Sequence, residues 1–412
     1  MFQVLALIFS LSLFLGYLTQ RYSDFQPSTT MIISSLILIT CLYQADYGYG
    51  IFDSSAIIDS VKNIDFKSII LEGFLGYLLF AGALSVHFND LKEQMIEIGI
   101  LALISTLVSS VLIGYSIQYI LYYFGHQIPL IYCLLFGALI SPTDPIAVLA
   151  TLKKAGGSKS LRTCIAGESL FNDGIGIVLF SALYFCLENV QPLSVSIITS
   201  LFFYKAVLGS IFGLLIGYIM FLTMNHKTNL THIDSMMSIA IVTASYVIAE
   251  MIHISGALAM VSAGILFRYL LEEKSFVSSQ RRNNLFLVWH VIDESLNLVL
   301  FFLIGFEVVH IFNFDHYLEI IPLSIVLCLL TRLITVAIPF YFLRSWGRNT
   351  HPIKTITIGG LRGGLAIALA LSLPDEVTYR PIILSLTYAN VLFSLIVQST
   401  LFTLITRKEK NL

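Results

Sequence analysis

The chain is built around a run of apolar stretches about 20 residues long, spaced closely from one end to the other. That length matches the thickness of a bilayer's hydrocarbon core. Thirteen such stretches can be drawn, at 1–20, 28–48, 68–86, 96–123, 128–151, 162–187, 193–224, 235–251, 255–271, 285–309, 316–344, 353–373 and 380–406. The gaps between them leave no room for a soluble domain. Composition agrees: 57% of residues are hydrophobic, only 12% are charged and the mean hydropathy is +0.86, whereas soluble domains carry about 25% charged residues. A soluble globular enzyme is excluded, and the reading is an all-α polytopic membrane protein. The first 20 residues lack a basic lead and a small-residue cleavage site, so they read as a retained span rather than a signal peptide. Cys41, Cys133, Cys164, Cys186 and Cys328 form no close pair and imply neither a zinc site nor a redox pair. A net charge of −2 gives no reason to expect a nucleic-acid partner; the lipid bilayer is the expected surrounding.

Basic residues test the count, because they gather in cytoplasmic loops. Arg21, Lys92, Lys153, Lys154, Lys159, Arg162, Lys227, Arg268, Lys274, Arg281, Arg282, Arg344, Arg348, Lys354, Arg407, Lys408 and Lys410 fall in odd-numbered loops or the tail, and only Lys62, Lys67 and Arg380 in even-numbered ones. That asymmetry puts the N-terminus outside and the short tail, 407–412, in the cytoplasm. Thirteen spans divide into a first repeat (1–190), a linker span (193–224) and an inverted second repeat (235–406), a plan many secondary transporters share. The division pairs span 5 with span 12. Span 5 is interrupted by Ser141-Pro-Thr-Asp-Pro145 and span 12 by Gly359-Gly-Leu-Arg-Gly-Gly364. Matched interruptions in two halves point to a binding site at the membrane midplane, where two broken helices cross.

The chemistry of these breaks follows from what they expose. Pro142 and Pro145 remove backbone donors, and each half-helix end carries roughly half an elementary charge. Arg362 can offset the C-terminal ends, and Asp144 the N-terminal ends or, alternatively, contact an ion directly. In span 6, at about 100° per residue, Glu168, Asn172, Gly176, Ser169 and Asp173 fall within an arc of about 140° and are expected on one face. Ser169 and Asp173, four residues apart, could offer oxygens to one hard monovalent cation, Na⁺ or Li⁺. A carboxylate inside a membrane is expensive unless neutralised. Proton and cation would therefore compete for Asp173, and that competition can exchange one for the other across a membrane. The plainer reading is a polar contact between helices.

Four segments together resemble the signatures of monovalent cation:proton antiporters of the NhaP/NHE type. They are Ser141-Pro-Thr-Asp-Pro-Ile-Ala-Val148, Gly167-Glu-Ser-Leu-Phe-Asn-Asp-Gly174, His253-Ile-Ser-Gly-Ala-Leu-Ala259 and Gly359-Gly-Leu-Arg-Gly363, in family order and spacing over essentially the whole chain. The resemblance implies an electroneutral exchange of one Na⁺ (or Li⁺ or K⁺) for one H⁺, with the Asn172-Asp173 pair marking the electroneutral branch. No resident cofactor and no enzymatic activity are implied. Asp173 would be the cation and proton carrier, Ser169 a ligand, Thr143 a source of backbone or hydroxyl oxygen, and Asn172 a hydrogen-bonded support. Glu168 would pair with Arg332, an arginine otherwise stranded in span 11. The resemblance also implies a homodimer in the inner (plasma) membrane, with a bundle of spans 4–6 and 11–13 moving against a scaffold. The chain departs from the pattern at Ala81, where relatives often carry glutamate, and at His290, where glutamate is common after Trp289. Asp293 and Glu294, one turn further on, read as interfacial helix caps or as acids that attract cations at the mouth. His253 reads as a packing or hydrogen-bonding residue. Lys205, inside the linker span, is expected at a lipid headgroup, a partner subunit or water. A proton-independent cation channel and an intramembrane aspartyl protease using Asp144 and Asp173 are the competing classes; the second lacks the Gly-x-Gly-Asp signature, since Phe171-Asn172 precedes Asp173.

Overall fold

The computed structural model describes residues 2–22, 27–49, 68–189, 194–224, 231–274, 277–308, 317–343, 351–374 and 376–410. Lys62, Lys67, Lys227, Arg344 and Arg348 of the charge comparison lie outside the described residues. The described residues are mostly helical, joined by short turns, with one isolated β-bridge between Asp144 and Leu361. In chain order the helices are α1 (Phe2–Tyr22), α2 (Pro27–Tyr49), α3 (Ser68–Ser85), α4 (Phe88–Glu93), α5 (Met95–Tyr123), α6 (Leu130–Ile140), α7 (Ile146–Ala155), α8 (Lys159–Glu188), α9 (Val195–Met224), α10 (Thr231–Met251), α11 (Gly256–Glu273), α12 (Ser279–Val308), α13 (Ile320–Leu343), α14 (His351–Ile358), α15 (Gly364–Leu371) and α16 (Arg380–Lys410). Among the described residues, eight are long and apolar enough to cross a membrane: α3, α5, α8, α9, α10, α12, α13 and α16. The pairs α6/α7 and α14/α15 are half-length helices on either side of the two interruptions. The last helix continues to Lys410, so the expected tail after 406 extends the helix instead of leaving it.

Local chemistry sets the ends that matter. Ser158 caps α8 by accepting from the Leu161 amide at 3.3 Å, and Ser255 caps α11 by accepting from Leu258 at 3.2 Å. Gly156 ends α7 with φ of 81°, a left-handed turn natural to glycine. Helix α9 runs alongside α11 on a stripe of small residues. A Cβ on Gly213 would stand 2.1 Å from the Ala259 carbonyl oxygen, and on Gly209 or Gly217 2.6 Å from those of Ser255 and Ala263. The two backbones are therefore as close as glycine permits. The His253–Ala259 segment is the turn into α11 that supplies this contact, and its Leu258 packs on Gly174 of α8. Trp289 of α12 is buried against Phe80 of α3, ring centroids 4.6 Å apart, with its indole N–H donating to Ser238 of α10 at 3.0 Å. Buried Arg281 at the start of α12 joins Asp234 of α10 and donates to the Met224 carbonyl of α9 at 3.1 Å. These contacts tie α3 and α9–α12 together, with α8 against them.

Candidate functional site

The two interruptions meet. The Asp144 amide donates to the Leu361 carbonyl at 2.7 Å, so the extended residues of the two breaks pair antiparallel where the broken helices cross. Four half-helix ends converge there, and each end has a partner. Arg362 donates through Nη1 to the carbonyls of Ser141 and Pro142, the second at 3.1 Å, which covers the C-terminal end of α6. The Asp144 carboxylate accepts from the Ile146 amide at 3.0 Å, at the first turn of α7. It also lies over Gly363: a Cβ there would stand 2.5 Å from Asp144 Oδ2, so glycine is what lets the carboxylate reach the start of α15. Gln398 donates to the Ile358 carbonyl at 2.8 Å and closes the C-terminal end of α14. Positive charge thus faces carbonyl ends and negative charge faces amide ends, as the half-helix dipoles require.

Helix α8 crosses beside this point. Asn172, wholly buried, holds Thr143 twice: its Nδ2 donates to Thr143 Oγ1 at 3.0 Å, and its Oδ1 accepts from the Thr143 amide at 3.4 Å. Ser169 Oγ donates to the Thr143 carbonyl. Asp173, one turn on from Ser169, points into a cavity of about 730 Å³ lined also by Ser169, Thr143, Asp144 and Gly363. The cavity follows one stripe of α8 from Lys159 through Arg162 and Ala166 to Asp173. Fourteen residues at 1.5 Å each make it roughly 21 Å from rim to floor. Among the described residues no hydrogen bond or ion pair engages the Asp173 carboxylate, although Asp144 acts on it electrostatically. A buried carboxylate of that kind, with no base beside it and a second acid acting on it, is costly to keep charged unless a proton or a cation joins it.

Not every residue of the predicted face reaches this cavity. Glu168 turns the other way and pairs with Arg332 of α13, both deeply buried; Arg332 also donates to the Ile356 carbonyl of α14 at 3.4 Å. The one-face expectation fails because an arc of about 140° is wider than one groove. Ser169 and Asp173 take the cavity side, while Glu168 and Asn172 take the protein side. Span 3 brings Gly82 to the cavity wall, next to Ala81. Asp293 and Glu294 of α12 line the same cavity, a placement that the cap reading of these acids does not anticipate. Lys205 has a partner within the chain, Ser181 of α8, at 3.2 Å. Arg362, Asp144, Thr143, Asn172, Ser169 and Asp173 are brought together within one crossing; Glu168 and Arg332 stand behind it.

Residues 10–408 match the family described as "Sodium/hydrogen exchanger, transmembrane". The chain belongs to the sodium/hydrogen exchanger family. Within the family it is similar to the Na(+)/H(+) antiporter NhaP of Pseudomonas aeruginosa, 37% identical over 394 residues that cover 94% of this chain and 92% of the relative. It is also similar to the Na(+)/H(+) antiporter NhaH of Halobacillus aidingensis, 33% identical over 327 residues, 78% of each chain. Its fold is that of the sodium proton antiporter MjNhaP1 from Methanocaldococcus jannaschii: the TM-score is 0.77 at 16% identity, over 99% of this chain and 98% of the other. For a member of the sodium/hydrogen exchanger family, the paired breaks are part of a multi-pass membrane fold, so the charges buried at the crossing lie in the membrane and not in a soluble core.

Proposed function

We propose that this protein is a secondary active, electroneutral Na⁺/H⁺ antiporter of the plasma membrane, in which a proton and an alkali cation compete for Asp173. One observation carries the reading: the Asp173 carboxylate opens to a polar cavity beside two crossed broken helices and is engaged by no base among the described residues. Were it locked in a salt link, as Glu168 is, it could not trade a proton for a cation. The names of the two relatives given above, both antiporters, support the same reaction. Na⁺ (or Li⁺ or K⁺) is cargo here. Asp173 neutralises it, with Ser169 Oγ and the Thr143 carbonyl beside it as neutral oxygen ligands, and Asp144 stays with the helix ends as a fixed charge. Asn172 is a neutral amide that holds Thr143, so one mobile charge is neutralised per cycle and one Na⁺ replaces one H⁺.

The architecture that goes with this reading is thirteen spans, six on either side of the linker span in inverted repeats, with α6/α7 and α14/α15 as the two broken spans. The cavity rim carries Lys153, Lys159 and Arg162, at the last turn of α7 and the first turn of α8, on the side that the charge asymmetry assigns to the cytoplasm. On that assignment the chain is inward-facing, with its C-terminus in the cytoplasm. Alternating access then moves the bundle holding α8 and the crossed helices against the scaffold of α3 and α9–α12, within a homodimer.

The test is Asp173→Asn in proteoliposomes loaded with a pH-sensitive dye. Wild type is expected to acidify or alkalinise the lumen when a Na⁺ gradient is imposed, without net current; the variant is expected to do neither while remaining monodisperse. Normal exchange by the variant, or a large pH-independent Na⁺ current in wild type, would overturn the proposal.

A further inference from the structure

The walls of the cavity are not equal. Its rim bears basic side chains: Lys153 and Arg162 line it, and Lys159 is paired with Asp90 of α4 at 2.8 Å. The carrier carboxylate lies at the floor. A cation moving inward along α8 alone would meet positive charge first and negative charge only after roughly 20 Å. The opposite wall, α12, contributes His290, Asp293, Glu294, Asn297 and Leu300. Leu300 is at the floor, where it packs on Gly364 at the start of α15. Asp293 is seven residues before it, roughly 10 Å higher by helical rise, which puts it between rim and floor.

Its neighbours decide what it can do. Asn297 donates through Nδ2 to Asp293 Oδ1 at 3.1 Å and to the Asp293 carbonyl at 2.9 Å, which fixes the direction of the carboxylate. Glu294 is exposed and sits 3.7 Å from His290. No ion pair engages Asp293 among the described residues; His290 and Glu294 on its own helix and Asp144 across the cavity act on it electrostatically. A held but uncommitted carboxylate halfway down a narrow opening focuses potential for cations.

We propose that Asp293, oriented by Asn297, is the entry acid of the transport reaction: it draws the alkali cation past the basic rim and hands it to Asp173, setting apparent affinity without taking part in the proton exchange. The proposal rests on the antiporter reading above. It is tested by Na⁺-driven proton flux in proteoliposomes bearing wild type, Asp293→Asn or Asp293→Glu, across Na⁺ concentration and at two ionic strengths set with choline chloride. Asp293→Asn is expected to raise the KM for Na⁺ roughly tenfold at low salt with kcat within about twofold, an effect of focusing. The gap from wild type is expected to shrink at high salt, because an electrostatic entry effect is screened. Asp293→Glu, which keeps the charge, is expected to restore most of the affinity. An unchanged KM in Asp293→Asn, a loss of kcat alone, or a glutamate variant as impaired as the asparagine one would overturn the proposal. Inactive wild type would overturn the antiporter reading instead.

Discussion

Glu168 and Arg332 offer the sharpest test of how this bundle tolerates charge. Their side chains are 2% and 6% exposed, and they face each other from α8 and α13. Taking one partner away leaves the other charged and buried, which costs about 3–5 kcal/mol. Glu168→Gln keeps the shape and removes the charge, so the loss is electrostatic and not a cavity. Unfolding entropy near 2.1 cal/mol/K per residue gives about 0.9 kcal/mol/K for a chain of 412 residues. The midpoint is then expected to fall by about 3–6 °C. The assay is thermal denaturation of purified protein in detergent, followed by loss of the monodisperse peak in size-exclusion chromatography.

The double variant Glu168→Gln/Arg332→Met separates pair from partners. If the damage in the single variant is the stranded guanidinium, removing it as well should recover part of the midpoint. Recovery will be incomplete, because Arg332 also donates to the Ile356 carbonyl at the end of α14, and that contact has no substitute in methionine. Coupling between the two substitutions is the quantity that reports the pair itself. A midpoint for Glu168→Gln within 1 °C of wild type, given that scale of about 0.9 kcal/mol/K, would refute the argument. It would mean that water reaches the pair or that the arginine finds another counter-charge.

Other substitutions read other contacts. Arg362→Ala uncovers the Ser141 and Pro142 carbonyls; hydrogen bonds to a charged donor are each about 1.5–3 kcal/mol, and with the buried charge gone a net loss of about 2–3 kcal/mol is expected, seen as a lower midpoint. Arg362→Lys should rescue little of it, because an ammonium lacks the planar fork. Gly213→Ala forces a methyl against the Ala259 carbonyl and should lower the midpoint by prying α9 from α11, an overpacking cost of about 1–3 kcal/mol. Gly99→Ala, where a Cβ would meet nothing within 4 Å, should be neutral or stabilising by up to about 1 kcal/mol; equal effects at both glycines would refute the packing account.

The sequence makes some of these features legible and hides others, for physical reasons. The two breaks can be read directly because proline and glycine act on the backbone where they stand, whatever surrounds them. The Glu168–Arg332 pair is legible because a lone charge in an apolar span demands a partner. The division of the α8 face is not, since periodicity gives the direction in which Asn172 and Asp173 point but not which neighbour lies there. In the sequence Asp293 is open to two readings, a helix cap or an acid at the mouth, and the choice rests on α12 facing α8 across the cavity, a tertiary fact that the local sequence does not give. Lys205 is similar: its partner, Ser181, is 24 residues away on a different helix. The stripe Gly209, Gly213, Gly217 is the opposite case. Its spacing of four is a visible signature of close helix packing, and it would have placed α9 against another helix of the same chain.

If the proposed reading holds, the crossing keeps the ligand atoms in place before any ion arrives. Thr143 sits in the extended stretch of the first break, where its backbone amide, carbonyl and hydroxyl are all free of helical duty. Asn172 takes the amide and the hydroxyl, and Ser169 takes one lone pair of the carbonyl. The second carbonyl lone pair and the acceptor side of Ser169 Oγ are left over, next to Asp173 at the cavity floor. A carbonyl has two lone pairs and a hydroxyl two as well, so donating to Thr143 does not spend the oxygen that a cation would use. Thr143 and Ser169 therefore carry both hydrogen bonds that satisfy a broken helix and the oxygens that the proposed reading gives to an alkali ion, while Asn172 contributes hydrogen bonds alone. On the proposed reading, binding then adds an ion to a fixed frame, and the single group whose charge changes is the carboxylate at 173.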